Sequence, residues 1–412
     1  MSAFAIPLSG LEASASSLNN IANNLANLNT DGYKDQNLSF SDIFNNMQGT
    51  SGNGDPIQTG GGVQVAGSTS NFSNGTVSST GIASNMALQG NGFFVLQNGS
   101  ATDYTRNGDF TTNSSGQLTT PGGELVMGYP AVNGVVSTDA ALAPISVNQA
   151  TTLPGVASTS FEMNTNLDSS TAAGTSFSTP LTVYDSLGTA QTLSVNYTNT
   201  APNSWSYSVT LPASATGGTG SPTTVASGTL TFNSSGQLTS PTGSITGIDI
   251  TGLADGAAPM NLTWNLNDAS GNPTITQQNA TSATSGTNQD GYGVGSLTGY
   301  SVLPDGTVQG QFSNSQTLAL GQVAVASFAN TQGLAQSGSN DYQATFASGA
   351  AVVGVAGAGG NGAITGGSVE QSNVSLSTEF SNMIIAQQGY EANAKALTTL
   401  NQISQATIQM MS

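Results

Sequence analysis

The chain has 412 residues and contains neither cysteine nor histidine. Without thiols there are no disulfides and no thiolate nucleophile. Without imidazole, the Ser-His-Asp triad, the Cys-His pair and the common metal-binding clusters are all excluded. Basic residues are almost absent: Lys34, Arg106 and Lys395 stand against 21 acidic residues, for a net charge of -18. Three cations far apart in sequence cannot build the face that displaces counterions from a nucleic acid. The same shortage argues against an anionic membrane surface. Charged residues of both signs make up 6% of the chain, where about 25% is usual. The polar surface must therefore come from Ser, Thr, Asn, Gln and Gly, as in secreted or cell-surface proteins. Such a surface can lie against copies of itself without stranding charges. No apolar run reaches the roughly 18 residues of a membrane span, so no membrane insertion is expected. Residues 1–30 show neither the basic start nor the small-residue cleavage site of a signal peptide.

Little catalytic chemistry is left. A Ser-Lys pair would need Lys34 or Lys395, both in or beside helices. Asp103 and Asp109 form a carboxylate pair, but both sit near turns, where Asp is common. Gly357-Ala358-Gly359-Gly360-Asn361-Gly362 has the glycine spacing of a dinucleotide fingerprint, yet no helix pattern opens there. The acidic residue expected about twenty positions on is replaced by Ser377. The expectation is a non-enzyme, with no catalytic, cofactor-binding or metal-ligating residue and no cofactor.

What is present is concentrated at the two ends. Phe4, Leu11, Leu18 and Leu25 recur every seven residues, with Leu8, Ala15 and Ala22 on an adjacent row. This is the spacing of a helix that buries one seam against another helix, although an amphipathic helix in an ordinary globular core would show it too. Asn29-Thr30-Asp31-Gly32 then stops the pattern, with Gly32 suited to a left-handed turn. At the other end Val369, Leu376, Met383, Tyr390 and Leu397 repeat the seven-residue spacing, and Phe380, Ala394 and Ile408 fill neighbouring rows. A continuous helix from Leu376 to Met411 would run roughly 54 Å. Gly389 inside it costs up to about 1 kcal/mol relative to alanine, which points to a close helix approach or a bend.

Between the ends the period switches to two. Asn74-Gly75, Asn91-Gly92, Asn98-Gly99 and Asn107-Gly108 are tight-turn pairs flanking Phe93-Phe94-Val95-Leu96 and Tyr104 to Phe110. Arg106 is expected to serve as a structural ion pair or carbonyl cap there. A second β domain spans 145–286, with strand-like runs such as Leu193 to Tyr197 and Trp205 to Val209. Trp205 and Trp264 are its expected core anchors, an aromatic carbohydrate platform being the alternative. Asn113-Ser114-Ser115-Gly116-Gln117-Leu118-Thr119 recurs as Asn233-Ser234-Ser235-Gly236-Gln237-Leu238-Thr239, which reads as equivalent hairpins in two separate β domains. At Asp290-Gly291-Tyr292-Gly293 the chain re-enters the first domain. The fold class expected is therefore mainly β with terminal α-helices paired as a coiled coil, and two antiparallel β domains, the second inserted in the first. The boundaries expected are 1–30 with 370–412 for the helical assembly domain, 31–144 with 287–369 for the first β domain, and 145–286 for the insertion. Residues 45–62 read as a loop-like or extended connection.

Ala22-Asn23-Asn24-Leu25-Ala26-Asn27, then Asn29-Thr30 and Gly32-Tyr33-Lys34, closely resembles the N-terminal signature of the bacterial flagellar axial proteins, the rod and hook subunits. Ser39 to Phe44 resembles the hook branch. Asn91 to Phe94, Tyr104 to Phe110, Asn330-Thr331-Gln332-Gly333-Leu334, Glu370 to Leu376 and Met383 to Asn393 continue the likeness, with Gln388 standing where the family usually has Arg. Little of 145–286 shares it. The resemblance implies a structural hook subunit that self-assembles into a flexible helical tube and transmits torque from rod to filament, with the helices in an inner layer. The candidate subunit-assembly residues are Leu11, Leu18, Leu25, Asn27, Leu376, Met383, Tyr390 and Leu397. The partners implied are further copies of the chain, the rod, hook-cap and hook–filament junction proteins, and the type III export apparatus. That route would account for an extracellular location without a cleaved signal peptide. A distal rod subunit is the nearest alternative, disfavoured by the inserted domain. A secreted adhesin or glycan-binding β protein would explain the Ser/Thr/Asn-rich strands but not the matched heptads, and a carboxylate-dependent glycosidase explains less.

Overall fold

The computed structural model describes residues 4–43, 46–50, 56–148, 151–268 and 270–411. The chain divides into two compact units: Met1–Asn148, Gly299–Gly310 and Thr317–Ser412 form the first, Gln149–Thr298 and Gln311–Gln316 the second.

Helix α1 spans Ala5–Ala26 and helix α2 spans Leu376–Met411. The heptad rows thus mark both terminal helices, with one correction. Val369 shares the seven-residue spacing but lies in the Ser368–Glu370 strand, paired with Val77–Ser79. Helix α1 ends at Asn27, before the Asn-Thr-Asp-Gly cluster. Gly32 does take a left-handed φ of 69°, but in a turn beyond the helix end. Its N–H donates to the Glu370 carbonyl, and a Cβ there would stand 2.5 Å from the Asn107 nitrogen. Gly32 therefore admits a neighbouring backbone rather than ending the helix. After α1, Gln36–Asp42 pairs antiparallel with Val63–Ser70. Asn46–Thr50 pairs with Pro56–Thr59, so part of the 45–62 connection is a hairpin. Its Gly, Asn, Ser and Thr content hid the strands from a hydrophobicity reading. Residues 44–45 and 51–55 of that stretch, and with them the end of the Ser39–Phe44 motif, lie outside the described residues.

The β body of the first unit runs Thr317–Ser327, Leu125–Val132, Phe93–Asn98, Ala101–Thr105, Asp341–Gln343, Ala335–Gly338, each neighbour antiparallel. Both faces are covered. Phe94, Leu96, Val323 and Val325 enter one buried cluster, and Phe93, Val95, Ala324 and Ala326 enter another. This explains why Phe93 to Leu96 is a continuous apolar run rather than an alternation. Ile145 and Val147 are buried in the first of these clusters, so the first unit extends to Asn148, past residue 144.

The second unit is a two-sheet sandwich. One sheet orders Ile245–Ile250, Met260–Asn265, Ser160–Asp168 and Ile275–Gln278, and the other orders Ser176–Tyr184, Ala190–Ala201, Ser204–Leu211, Thr223–Phe232 and Leu238–Ser240. Their inner faces share one core. Ser160–Asp168 takes Ala283–Gln289 antiparallel but Met260–Asn265 and Ile275–Gln278 parallel. The parallel pairing is possible because a long crossover, carrying the other sheet, separates it from both. Trp205 and Trp264 are fully buried in the core, so neither presents a sugar-stacking platform. The repeated heptapeptide folds alike in the two units: Asn113 Oδ1 accepts from the N–H of Ser115 and Gln117, and Asn233 Oδ1 from those of Ser235 and Gln237, all at 2.9 Å.

Candidate assembly surface and the joint beneath it

The two helices pack antiparallel, with Gly10 facing Asn393 and Ser14 facing Gly389. A Cβ on Gly389 would stand 3.2 Å from Ser14 Oγ. The glycine that weakens the helix is therefore there for a close approach. At these two points the seam is closed by small and polar side chains, while Met383, Leu397 and Leu400 of α2 are half-buried. Other large apolar side chains point outward. Leu376, Phe380, Ile384, Ile385, Ile403 and Ile408 of α2 are exposed, Ile385 to 67%. Ile6 and Leu8 of α1 are exposed as well. Of the assembly residues expected from sequence, Leu11, Leu18, Leu25, Met383 and Leu397 are half-buried, whereas Leu376 and Tyr390 are exposed. Asn27 works within its own helix end: its Nδ2 donates to the Asn23 carbonyl at 3.0 Å and its Oδ1 accepts from Thr30 Oγ1 at 3.1 Å. A groove of about 450 Å³ runs between the helices and the Gln36–Asp42 strand, lined by Ser17, Ile21, Phe40, Glu379, Ile385 and Ala386 among others.

The asparagine-rich end of α1 fastens the helix to the next segment of chain. Asn24 is buried; its Nδ2 donates to Asp35 Oδ1 at 2.7 Å and to the Gln36 carbonyl at 2.9 Å, while its Oδ1 accepts from the Gln36 N–H and the Tyr33 hydroxyl. Asn20 Nδ2 donates to the same Gln36 carbonyl and Asn23 Nδ2 to the Tyr33 hydroxyl. A hydrophobic side chain at position 24 would leave these groups buried and unpaired. From the other terminus Asn373 answers: its Oδ1 accepts from the Asp35 N–H at 2.8 Å, and its Nδ2 donates to the carbonyls of Asn71 and Ser73.

Beside this lies a buried ionic cluster. Lys34 Nζ is 2.7 Å from Glu370 Oε1, and Arg106 Nη1 is 3.4 Å from Glu370 Oε2, with all three side chains almost wholly enclosed. Lys34 Nζ also donates to the Ser73 carbonyl, the Gly75 N–H donates to Glu370 Oε1, and Arg106 Nη1 donates to the Leu88 carbonyl. Arg106 is thus both ion pair and carbonyl cap, and its guanidinium lies 5.5 Å from the centre of the Phe93 ring. Burial, the largest influence, pulls the Lys34 ammonium below its ordinary pKa; Glu370 opposes that and Arg106 reinforces it. Two of the chain's three cations are spent on one carboxylate. That carboxylate joins the segment after α1, the first β hairpins and the strand leading into α2. Sequence reading missed the Asn24 and Glu370 roles. The available signal was that Lys34 and Arg106, in a chain so poor in cations, each need a buried anion.

Comparison with known proteins covers most of the chain. Residues 6–34 match the family model described as flagella basal body rod protein, 87–196 the flagellar hook protein FlgE/F/G D1 domain, 153–292 the flagellar basal body protein FlaE D2 domain, and 365–410 the flagellar basal body rod FlgEFG protein C-terminal region. The D2 match lies in the segment where sequence reading found little likeness. The chain is 36% identical to the flagellar hook protein FlgE of Salmonella typhimurium over 422 residues, covering 99% of each protein. It is 35% identical to that of Escherichia coli K12 over 425 residues, covering 99% of this chain and 100% of that one. Among solved structures, the flagellar hook protein FlgE2 of Helicobacter pylori aligns with a TM-score of 0.48 and 15% identity, over 70% of this chain and 98% of that one.

Proposed function

The chain belongs to the FlgE family of flagellar hook proteins, and from that premise we propose that it is a structural subunit of the bacterial flagellar hook, built to polymerise through its terminal helices. One observation carries this reading. The α1–α2 pair approaches closely at Gly10 and Gly389 and leaves Leu376, Phe380, Ile384, Ile385, Ile403 and Ile408 of α2 on its outside. An apolar surface of that kind on a 36-residue helix marks a contact with other protein rather than with water. Helices of neighbouring copies are the natural cover, giving an inner layer around which the β domains are carried. The joint of Asn24, Lys34, Arg106 and Glu370 then passes load from that layer into the β body of the same subunit. In the hook such a tube bends while it transmits torque from rod to filament. Charge-poor surfaces suit that task, because neighbours can shift without breaking fixed ion pairs. The proposal includes contacts with rod, hook-cap and junction proteins at the tube's ends and delivery by the type III export apparatus. It assigns residues 1–30 and 370–412 to assembly, and Leu11, Leu18, Leu25, Met383 and Leu397 to the flanks of the buried layer. Electron microscopy of the purified protein at rising concentration tests it. Tubes are expected; dispersed monomers at every concentration would overturn it.

A further inference from the structure

We infer that Lys395 of one copy of this chain seats in the groove between the helices and the Gln36–Asp42 strand of a second copy, where its ammonium pairs with Glu379. This rests on the hook reading and adds to it a named ionic contact in the helical layer.

Each half of the contact is unsatisfied in the single chain. Among the described residues the ion pairs are Lys34 with Glu370 and Arg106 with Glu370. Lys395 is therefore the one Lys or Arg side chain left without a carboxylate, and it is exposed. It stands eleven residues beyond Ile384, which at about 3.6 residues per turn sets the two only about 20° apart round the helix. Lys395 thus shares the outer face of α2 that carries the exposed Ile384. A copy that covers this face covers the ammonium as well, and a covered charge needs an anion. The complementary group stands in the groove. Glu379 is 5% exposed, and its Oε2 is enclosed with no hydrogen-bond partner. It lines the groove of about 450 Å³, and no other ionisable side chain does. Burial raises the pKa of its carboxyl, Asp35 adds to the rise, and a hydrogen bond from Asn24 opposes it. A carboxylate oxygen held without a donor is costly, and a small rotation of the carboxyl presents it to a cation lying in the groove.

The rest of the lining suits a lysine. Ile21, Phe40 and Ile385 offer apolar surface to its four-carbon stem, and the amides of Asn20 and Asn382 offer oxygens to its ammonium. The chain's own Lys395 cannot fill the site. Sixteen residues, roughly 24 Å, separate it from Glu379 along one helix, so the lysine must come from a second copy. Glu12 and Glu391 are other carboxylates on these helices, but both are exposed and hydrated, with no unmet demand for a cation. A lysine on one face that enters a groove on another makes a heterologous contact, and such contacts propagate into helical polymers.

The test is a double-mutant cycle in the full chain, read as the critical concentration for tubes. Lys395→Gln is expected to raise that concentration at least about tenfold. The monomer's melting temperature should not change, because the lysine is exposed. Glu379→Gln keeps the shape of the side chain, and circular dichroism checks that its helices form. In the Glu379→Gln background, Lys395→Gln is expected to have no further effect. With the two residues so far apart in one chain, that coupling acts between copies. An unchanged critical concentration for Lys395→Gln alone would overturn the inference, whether or not Glu379→Gln folds. An equal rise in both backgrounds would also overturn it, by placing Lys395 on another carboxylate such as Glu12 or Glu391. Either result leaves the hook reading intact. Failure of the parent chain to form tubes would overturn the hook reading itself, and this inference with it.

Discussion

At the scale of single residues, the first unit depends on a few buried polar groups. Glu370 is the clearest. Glu370→Gln keeps the shape but leaves Lys34 and Arg106 enclosed without a counter-charge. Removing one member of a buried ion pair costs about 3–5 kcal/mol, so the first unit is expected to unfold at distinctly lower denaturant by circular dichroism. Tryptophan fluorescence, which reports the second unit through Trp205 and Trp264, should keep its midpoint. Asp341 behaves in the opposite sense. Burial lifts its carboxyl from 3.8 to about 6; a Thr105 hydrogen bond opposes the rise, and Glu124 and Asp103 add to it. A carboxyl with a raised folded-state pKa favours folding in its protonated form. Its contribution is complete below pH 3.8 and is lost as pH rises through 6. Asp341→Asn should therefore stabilise the protein at pH 8 and leave it unchanged near pH 4, as thermal melts at the two pH values would read. A variant equally stable to the parent at pH 8 would show that the ionised carboxylate costs nothing there.

At the scale of elements, folding and assembly use different faces of the same helices. The inner seam, with Ser14 against Gly389, holds the pair together. The outer rows are exposed in the single chain. This separation makes a clean test possible. Ile384 is 55% exposed, so Ile384→Asp should change the stability of the monomer by no more than about 0.5 kcal/mol. In the tube the same carboxylate would be buried without a partner in every subunit, and polymerisation should fail at concentrations where the parent forms tubes. Sedimentation and electron microscopy decide it. Normal tubes from this variant would remove α2's outer row from the assembly surface.

For the whole molecule, the longer of the chain's two excursions from the first unit, 149–298, leaves and returns at neighbouring points. Thr152 pairs with Ser296, and the Leu297 N–H donates to the Thr151 carbonyl. Replacing 149–298 by a short Gly/Ser bridge should thus leave the first unit folded, with its helix signal intact. Cutting from 145 instead would strip Ile145 and Val147 out of the core and should destabilise it. The bridged chain is expected to assemble in part, into tubes of altered stiffness or curvature. A folded bridged chain that forms no assemblies would assign the second unit an essential role in polymerisation.

Features that depend on local pattern were legible in the amino-acid order alone. The seven-residue rows gave the two terminal helices, because helix period and heptad spacing nearly coincide. Asn98-Gly99 and the repeated heptapeptide gave turns, the latter because Asn113 and Asn233 satisfy their own backbone. Asn74-Gly75, Asn91-Gly92 and Asn107-Gly108 close no hairpin, and Gly75 and Gly108 instead admit the Gln371 and Met86 carbonyls. The scarcity of cations, with no Cys or His, narrowed the chemistry on composition alone. The remaining features depend on which distant segments meet, and that is settled only in the folded chain. Periodicity could not say that the helices close on Ser14 and Gly389 and turn Leu376 and Ile384 outward, since both arrangements carry the same spacing. Val369 fits the heptad row yet lies in a strand, because pairing with Val77–Ser79 overrides a local pattern. Nothing near Glu370 in sequence marks it as the partner of Lys34, 336 residues away. Long-range charge pairing arises only when the backbone has brought remote segments together.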